Sequence, residues 1–322
     1  MAQQNFDTGL QRSAGRRWHF DLYALLEGPQ ELYFGHETQV NVNVVETVKI
    51  DTGRRDAETE RPIIIEKCYL SPTKRRGIER RTLIWAPLAD GRLLGDKLLC
   101  GIPHTCTRQD CPICRIYGGL ITSDTTVEGD KRVPATFIGR LVHGGGVAVQ
   151  ELAPQEKQRA MHPSMIQKAP GKDPTPTPFK REYNEPGLLY PVYNHAMSVS
   201  DAEFGAAAYA FLESLARMGA GNPKGVRIYE ADLLAKEQPL LVLDRYLVPL
   251  GRRPVLSPEG ADKAECVARF REAALSVNGQ VMEDGQYEHS RGDKPIFTRW
   301  IGNHALRQIQ EYAQQFAAEY LL

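Results

Sequence analysis

The sequence predicts an α+β fold built around an antiparallel sheet. Residues 38–50 alternate apolar and polar side chains and are rich in valine, which is typical of a strand, and residues 226–230 and 240–248 are also strand-like. Helical periodicity is strong in residues 201–218 and 303–322. Strands that alternate with only a few helices indicate this fold class, and no repeat at a solenoid period is present in the sequence.

The first part of the chain is predicted to be rich in strands. Residues 18–26 suit a first strand or a strand–helix junction, and residues 38–50 suit a long, half-exposed strand. Residues 51–61 are charged, with a turn at Gly53, and residues 63–69 look like the returning strand. These segments form either a long hairpin arm or a plain hairpin within a sheet.

The middle of the chain combines ordered and irregular segments. Residues 72–83 are predicted to be a basic loop that enters a helix near Gly77. Residues 135–149 are strand-like, with a turn at the glycines of residues 144–146. Residues 153–187 are rich in proline and poor in large aliphatic side chains, which predicts an irregular insertion or a mobile loop.

Residues 201–218 give the strongest helix prediction. Asp201 can cap this helix, Phe204 begins an apolar face that continues at helical spacing, and Gly219 ends the helix. The tail, residues 303–322, is predicted to be an amphipathic helix.

The composition is ordinary for a soluble protein. Of the 322 residues, 42% are hydrophobic and 25% are charged, and the net charge is zero. A surface for nucleic acid therefore has to come from local clustering of Lys and Arg. Residues 1–15 are polar, and no apolar run approaches the roughly 18 residues needed to span a bilayer. We expect a cytoplasmic protein without membrane contact, in which cysteines are metal ligands rather than disulfides.

A cluster of cysteines carries the most specific chemical signal. It consists of Cys100, Cys106, Cys111 and Cys114. The two-residue spacer before Cys114 directs two sulfurs to one metal, and four thiolates make a closed tetrahedral site, so the predicted cofactor is a structural Zn²⁺ that folds a polar loop. Three alternatives remain: His104 in place of one cysteine, a redox pair at Cys111 and Cys114, or unrelated buried thiols. The cysteines outside the cluster, Cys68 and Cys266, are predicted to be core residues.

A basic segment precedes this cluster. It contains Lys74, Arg75, Arg76, Arg80 and Arg81. If the helix begins near Gly77, its free N–H groups and the guanidinium groups together favour phosphate oxygens. Such contacts hold a nucleic-acid backbone without reading its sequence. A solvated charged helix face is the alternative.

A glycine-rich loop follows the strongest helix. Gly219, Gly221, Asn222, Lys224, Gly225 and Arg227 lie in or beside it. Dinucleotide and P-loop sites run from strand to glycine loop to helix, whereas here the helix comes first, so those sites are excluded. A phosphodiester chain can still pass close to such a backbone, with Lys224 and Arg227 supplying charge. A flexible connector is the alternative.

The sequence contains no motif that pairs a nucleophile with a base. Its histidines are scattered, and neither HExxH nor GxSxG occurs. We therefore expect that the chain is not an enzyme.

The order of these features resembles the repeat-associated (RAMP) superfamily of CRISPR proteins. A strand-rich start is followed by the basic segment, by Cys111-Pro-Ile-Cys114-Arg-Ile-Tyr-Gly118, and by a long helix that ends in a glycine loop and a strand. Backbone subunits of this superfamily often carry a C-x2-C-x-(Leu/Ile)-(Phe/Tyr)-Gly element. The chain looks most like the large backbone subunit of type I-D Cascade, over roughly residues 18–250.

The resemblance implies a single elaborated domain. Its core would be an RRM-like (ferredoxin-like) antiparallel-sheet palm with an inserted β-hairpin thumb and zinc-binding finger elements. The implied segments are a palm at about 18–90 and 133–250, a thumb at about 34–66, a zinc-binding insertion at about 95–132, a Pro-rich insertion at about 153–187 and a C-terminal helical extension at about 255–322. The Pro-rich insertion is the alternative thumb.

The resemblance also implies partners. CRISPR RNA (crRNA) would lie along the basic segment and the glycine loop, and copies of the chain would stack into a helical filament with other effector subunits. Target DNA would be recognised through the guide bases.

Two other functions remain open. One is a type III-like subunit that cuts target RNA, for which Asp51 and Asp56 are the nearest candidates. The other is a zinc-stabilised protein-interaction module without nucleic acid.

Overall fold

The computed structural model describes residues 16–34, 36–39, 42–108, 110–121, 125–127, 130–132, 134–151, 155–161, 177–219, 225–256 and 262–322. In chain order the strands of these residues are β1 (Trp18–Glu27), β2 (His36–Gln39), β3 (Val42–Val45), β4 (Thr47–Arg55), β5 (Pro62–Cys68), β6 (Gly119–Ile121), β7 (Thr125–Val127), β8 (Asp130–Arg132), β9 (Ala135–Phe137), β10 (Leu141–Gly145), β11 (Gln155–Met161), β12 (Thr177–Tyr183), β13 (Leu189–Val199), β14 (Arg227–Ile228), β15 (Glu230–Asp232), β16 (Glu237–Pro239), β17 (Leu241–Tyr246), β18 (Ser276–Val277), β19 (Gln280–Val281), β20 (Gln286–Arg291) and β21 (Lys294–Ile301). The helices are α1 (Pro72–Ile84), α2 (Leu94–Leu98), α3 (Pro112–Tyr117), α4 (Asp201–Leu215), α5 (Lys263–Leu275) and α6 (Gly302–Tyr320).

A large antiparallel sheet forms the centre of this α+β fold. Its spatial order is β10-β13-β1-β17-β21-β20, and β14 pairs with the end of β1. Four strands at one side of the sheet and two of the helices follow one another along the chain in the order β1, α1, β10, β13, α4, β17. The predicted mixed architecture with an antiparallel sheet is therefore confirmed.

The two faces of the sheet have different covers. On the first face, Phe20 stacks on Phe204 of α4 with ring centroids 4.0 Å apart, and Tyr312 of α6 meets both rings edge-on. Alternation along β1 turns Tyr23 and Leu25 to the second face, where they share a core with Phe270 of α5. Because both faces pack against helices, β1 is almost entirely buried, which explains why its sequence is apolar nearly throughout.

The N-cap of helix α4 lies one residue earlier than predicted. The N-cap is Ser200 rather than Asp201: the Ser200 hydroxyl accepts a hydrogen bond from the Glu203 N–H, and the Glu203 carboxylate accepts one from the Ser200 N–H. This capping box satisfies two N–H groups at the helix start. Asp201 occupies the first helical position instead.

The predicted long strand at residues 38–50 is divided. β2 and β3 join β12 and β11 in a separate four-stranded sheet, whereas β4 pairs with β5 in a hairpin. The hairpin prediction is thus confirmed for residues 47–68 only. The Pro-rich insertion, predicted to be irregular, contains the antiparallel pair β11–β12 at its two ends.

The C-terminal segment is not simply helical. β20 and β21 lie between α5 and α6, and β21 pairs with β17 in the main sheet. β21 joins the main sheet because it carries apolar residues such as Phe297 and Ile301 on the second face. These side chains complete the core beneath α5.

Candidate nucleic-acid interface and metal centre

The four clustered cysteines converge in space. The sulfur atoms of Cys100, Cys106, Cys111 and Cys114 all lie within 4.8 Å of one another. The Cys100 and Cys106 sulfurs lie 3.5 Å and 3.7 Å from that of Cys114. A tetrahedron with Zn–S bonds of about 2.3 Å places its sulfurs about 3.8 Å apart, so these two distances match a tetrahedral thiolate site.

Local structure explains how the sulfurs meet. Cys111 is the N-cap of α3 and Cys114 lies on the first turn of that helix, whereas Cys100 follows Leu99, whose left-handed backbone (φ 50°) ends α2. His104 is exposed and lies outside the group of converging ligand atoms. Four thiolates leave no position for a reactive water, so a bound metal would be structural. Cys68 and Cys266 are buried elsewhere, as predicted.

The cysteine unit is connected to α1 through Tyr117. The Tyr117 carbonyl, at the end of α3, accepts a hydrogen bond from the Arg76 guanidinium. The Tyr117 hydroxyl donates to the Glu79 carboxylate at 3.0 Å. Loss of the metal would therefore disturb both the exposed and the buried sides of α1.

Helix α1 begins earlier than the sequence predicted. Ser71 is its N-cap and Pro72 occupies the first turn, where a missing N–H costs nothing and the fixed φ favours helix. The start is at Pro72 rather than near Gly77, so Lys74, Arg75 and Arg76 lie on the helix instead of preceding it. This shift decides which of the basic residues face solvent.

Arg75 faces the protein interior and is not available to RNA. Its side chain is fully buried, and its guanidinium donates to Asn194 Oδ1 at 3.0 Å and to the Gly144 carbonyl at 2.6 Å. Burial lowers the pKa of this guanidinium to about 10, against the attraction of Glu79. The assignment of Arg75 to RNA binding was wrong, because its position in the first turn points it at the sheet.

Glu79 is the buried anion that accompanies Arg75. Its carboxylate lies 2.7 Å from His143 Nε2 and 3.2 Å from Asn194 Nδ2. Burial by itself raises the pKa of a carboxyl group, but the pKa of Glu79 is lowered overall because His143, Arg75 and Asn194 stabilise its charge. The pair ties α1 to β10 and β13.

The remaining basic residues of α1 occupy its outer surface. Arg76 and Arg81 are exposed, whereas Lys74 forms an ion pair with Glu46. Arg80 is half-buried, and its Nε and Nη2 atoms are inaccessible to solvent with no hydrogen-bond partner among the described residues. Buried guanidinium donors without partners are costly, so a rotation of the half-buried Arg80 side chain that brings them to an acceptor at the surface would be favourable.

Trp85 and Arg217 extend this surface, and sequence reasoning missed both. Trp85, directly after α1, is 49% exposed. The Arg217 guanidinium lies 5.3 Å from the Trp85 ring centroid and donates to Thr82 Oγ1 at 3.3 Å. The spacing of four residues from Arg81 to Trp85 was the available signal, because it places an aromatic ring one turn beyond a cation. We call Arg76, Arg80, Arg81, Trp85 and Arg217 the arginine surface.

The glycine loop begins beside this surface. Gly219 (φ 107°) and Gly225 (φ 76°) adopt backbone angles that favour glycine, and the Gly225 N–H donates to the Met218 carbonyl at 3.0 Å, which closes the loop at its base. Arg217 thus connects α1 to the start of the loop. The predicted contacts Gly221, Asn222 and Lys224 lie outside the described residues.

Arg227 has a partner within the protein. On β14 its guanidinium bonds Glu27 of β1 at 2.7 Å, although its side chain stays 67% exposed. Its charge is therefore already largely balanced by Glu27, which weakens the case for Arg227 as a phosphate contact.

The two candidate catalytic aspartates support turns of the β4–β5 hairpin. Asp51 accepts a hydrogen bond from the Gly53 N–H at 2.9 Å. Asp56 accepts bonds from the N–H and the hydroxyl of Thr59, each at 2.8 Å, and the Thr59 and Glu58 bonds lower the pKa of Asp56. Both side chains have the local contacts that turn aspartates usually make.

Within the described part of the chain, no helix combines the length and apolar character needed to cross a bilayer.

Comparisons with known proteins give similarity in chain path only. No family model and no curated protein matches the sequence. The chain is similar to Csc2 of Thermofilum pendens, with 13% identity and a TM-score of 0.41, over 80% of this chain and 75% of that one. It is also similar to chains of two structures described as a CRISPR RNA-guided surveillance complex. The chain from the pre-nicking state has 9% identity and a TM-score of 0.42, over 80% and 87% of the two chains. The other has 11% identity and a TM-score of 0.37, over 80% and 82%. The functional interpretation therefore depends on the residues of this chain.

Proposed function

We propose that this chain is a crRNA-binding backbone subunit of a type I CRISPR effector complex, of the I-D kind. In this role the arginine surface holds the RNA backbone, and the loop of residues 219–225 borders its path. The cysteine cluster binds a structural Zn²⁺. Copies of the chain stack along one guide, which presents its bases to target DNA, and the chain has no catalytic centre of its own.

The observation that carries the RNA-binding part is the group of cations on the outer side of α1, with Arg76 and Arg81 exposed and Arg80 half-buried between them. The Arg80 Nε and Nη2 donors have no partner within the described residues, and a rotation of this side chain towards the surface would bring them to a phosphate. Phosphate oxygens are the acceptors that best match a guanidinium group, and Arg76 and Arg81 add exposed charge within one helical turn. The exposed Trp85 ring offers a plane for a base beside them.

Two further observations support the assignment to a CRISPR backbone. The order of the sequence motifs resembles that superfamily. In addition, β1, α1, β10, β13, α4 and β17 form a β-α-β-β-α-β unit with the spatial strand order β10-β13-β1-β17. This is the ferredoxin-like arrangement that the proposed RRM-like palm requires.

The first prediction concerns RNA affinity. Replacing Arg76, Arg80 and Arg81 together by alanine should weaken binding of single-stranded RNA similarly for unrelated sequences, since the contacts are to phosphates. The slope of log K against log salt should fall by about 2, at roughly 0.7 for each lost contact. Fluorescence anisotropy with two labelled RNAs across a potassium chloride series measures both quantities.

A matched triple variant separates the effect of losing this site from the effect of losing three positive charges. Arg269, Arg291 and Arg307 are exposed arginines away from α1, and their replacement by alanine removes the same charge. This control should bind RNA almost as tightly as the unmodified chain. Equal losses in the two triple variants, or a loss confined to one RNA sequence, would contradict the proposed phosphate contacts.

A second prediction concerns RNA cleavage. Because Asp51 and Asp56 hold turns, we expect no role for them in cleavage. Complexes assembled with the unmodified chain, with Asp51→Ala or with Asp56→Ala should all leave complementary RNA uncut in the presence of Mg²⁺. Gel analysis of end-labelled target RNA is the measurement. Cutting that disappears in either variant would instead support the type III-like function.

A further inference from the structure

A row of aromatic side chains crosses the second face of the sheet. His195 and His19 stack with centroids 5.9 Å apart and planes 6° apart, and His19 lies 5.5 Å from Tyr246. Phe297 and Tyr287 continue the row towards β20. The pairing register explains it, since Tyr246 lies opposite both His19 and Phe297 on neighbouring strands.

The His195 end of this row lies beside exposed apolar side chains. Tyr246 and Phe297 are buried, whereas the His195 side chain is 25% exposed. Next to His195, Val142 is 48% and Met197 is 38% exposed. We define the open face as Val142, Tyr193, His195, Met197, His19 and Arg253. Exposed apolar side chains beside half-exposed rings on a sheet need an explanation, because polar residues normally occupy such positions.

A buried carboxylate orients His195. Asp21 accepts hydrogen bonds from the hydroxyls of Tyr23 and Tyr246 at 2.9 Å and 3.1 Å, and it contacts His195 Nδ1. Arg253 Nε lies 3.5 Å from the same carboxylate. Burial alone would raise the pKa of Asp21, but these donors lower it, with His195 contributing most. Asp21 therefore stays ionised, and the His195 ring is fixed with Nδ1 inward and Nε2 away from the carboxylate.

His19 lacks an internal hydrogen-bond partner. Its Nδ1 atom is buried and has no acceptor or donor within reach among the residues that the structure describes. The groups that face its ring are Asp21 on its own strand, His195 on β13, Tyr246 on β17 and Arg253 after β17. Burial and then the neighbouring His195 lower the pKa of His19, so the ring is neutral at neutral pH.

We propose that the open face binds one nucleotide of single-stranded RNA, with the base against Tyr193 and His195 and the phosphate at His19 and Arg253. This inference rests on the proposed function and adds to it a second contact, on β1 and β13 rather than on α1. Base stacking on sheet aromatics needs an exposed ring beside apolar neighbours, which Val142 and Met197 supply. The Arg253 side chain is 50% exposed and reaches the same edge.

The phosphate makes this contact dependent on pH. A nearby phosphate favours the charged form of His19, so binding takes up a proton, and affinity rises as pH falls below the pKa of His19 in the complex and levels off below its pKa in the free protein. The arginine surface contains no histidine and contributes no such dependence. The pH dependence therefore separates the two RNA contacts.

The test uses the full chain and a labelled 20-nucleotide oligouridine. Tyr193→Ala should weaken binding about fivefold or more, the usual value of one stacked base, while Tyr193→Phe should retain the affinity because the ring remains. Affinity of the unmodified chain should rise from pH 7.5 to pH 5.8, and His19→Ala should abolish that rise. His289→Ala is the matched control, since His289 lies on β20, opposite Phe297 and across the sheet from β13, and should change neither quantity.

Cross-linking gives an independent readout. RNA containing 4-thiouridine should cross-link to the peptide that contains Tyr193 and His195 after irradiation of the unmodified chain. The inference is overturned if Tyr193→Ala and His19→Ala bind like the unmodified chain while cross-links map elsewhere. In that case loss of binding in the Arg76, Arg80 and Arg81 triple variant would still support the proposed function. A chain that binds no RNA at all would overturn both.

Discussion

Replacement of Cys111 by serine is expected to have the largest effect on the folded protein. A serine hydroxyl is a poor zinc ligand, so the variant should lose its metal, and the polar loop between α2 and α3 should lose the contact that folds it. Structural zinc contributes about 10–16 kcal/mol in isolated fingers. Because α3 also holds Arg76 and Glu79 through Tyr117, α1 should be destabilised as well.

Metal content and thermal unfolding together measure this effect. The unmodified chain should carry one zinc per molecule by elemental analysis, and Cys111→Ser should carry almost none and melt at a lower temperature. Cys266→Ala removes a buried thiol outside the cluster and should keep its zinc. A Cys111→Ser protein with full zinc content and an unchanged melting temperature would contradict the assigned ligands.

Arg75→Ala should destabilise the chain without being an RNA-contact variant. The substitution leaves the Glu79 carboxylate buried without its cationic neighbour and leaves Asn194 Oδ1 and the Gly144 carbonyl without their donor. Leaving a buried polar group without its partner costs about 1–3 kcal/mol, so the variant should lose about 3 kcal/mol of stability. Urea unfolding followed by circular dichroism measures the change in the free energy of unfolding.

Arg81→Ala is the appropriate comparison for Arg75→Ala. Arg81 is exposed on the same helix, so its removal should change the free energy of unfolding by less than about 0.5 kcal/mol. Arg75→Ala should therefore lower the stability of the chain, whereas Arg81→Ala should weaken RNA binding. If Arg75→Ala unfolds like the unmodified chain and binds RNA weakly, the buried assignment of Arg75 is wrong.

Local patterns were sufficient to predict several elements. The predicted helix at residues 201–218 corresponds to α4, and the predicted first strand at residues 18–26 corresponds to β1. The cysteine cluster was also predictable, because its members are close in sequence and their spacing fixes how the sulfurs meet. In each case the interaction that determines the structure is made between nearby residues.

Long-range contacts could not be predicted in this way. Arg75 and Arg76 are adjacent, yet one contacts Asn194 across the sheet and the other faces outwards. One sequence contains no information about which of two neighbouring arginines meets a partner 119 residues away. Helix α1 starts at Pro72 rather than near Gly77, because Ser71 and Pro72 form its N-cap and first turn, and this start turns Arg75 inwards.

The open face was missed for a similar reason. β13 alternates inward residues such as Val192, Asn194 and Ala196 with Tyr193 and His195, a pattern typical of a strand. The sequence shows no clean aromatic pattern of the RRM type. Their pairing becomes visible only when β1 and β13 lie side by side, since His19 and His195 are far apart in the chain.

The hydrogen bond that closes the glycine loop has a practical consequence. Because Met218 and Gly225 are joined directly, their hydrogen bond sets the separation of the end of α4 from the start of β14. A short tag or a single dye-bearing cysteine inserted between these two residues should therefore leave the melting temperature nearly unchanged. Such a label would report the arrival of an RNA strand at the neighbouring arginine surface in real time.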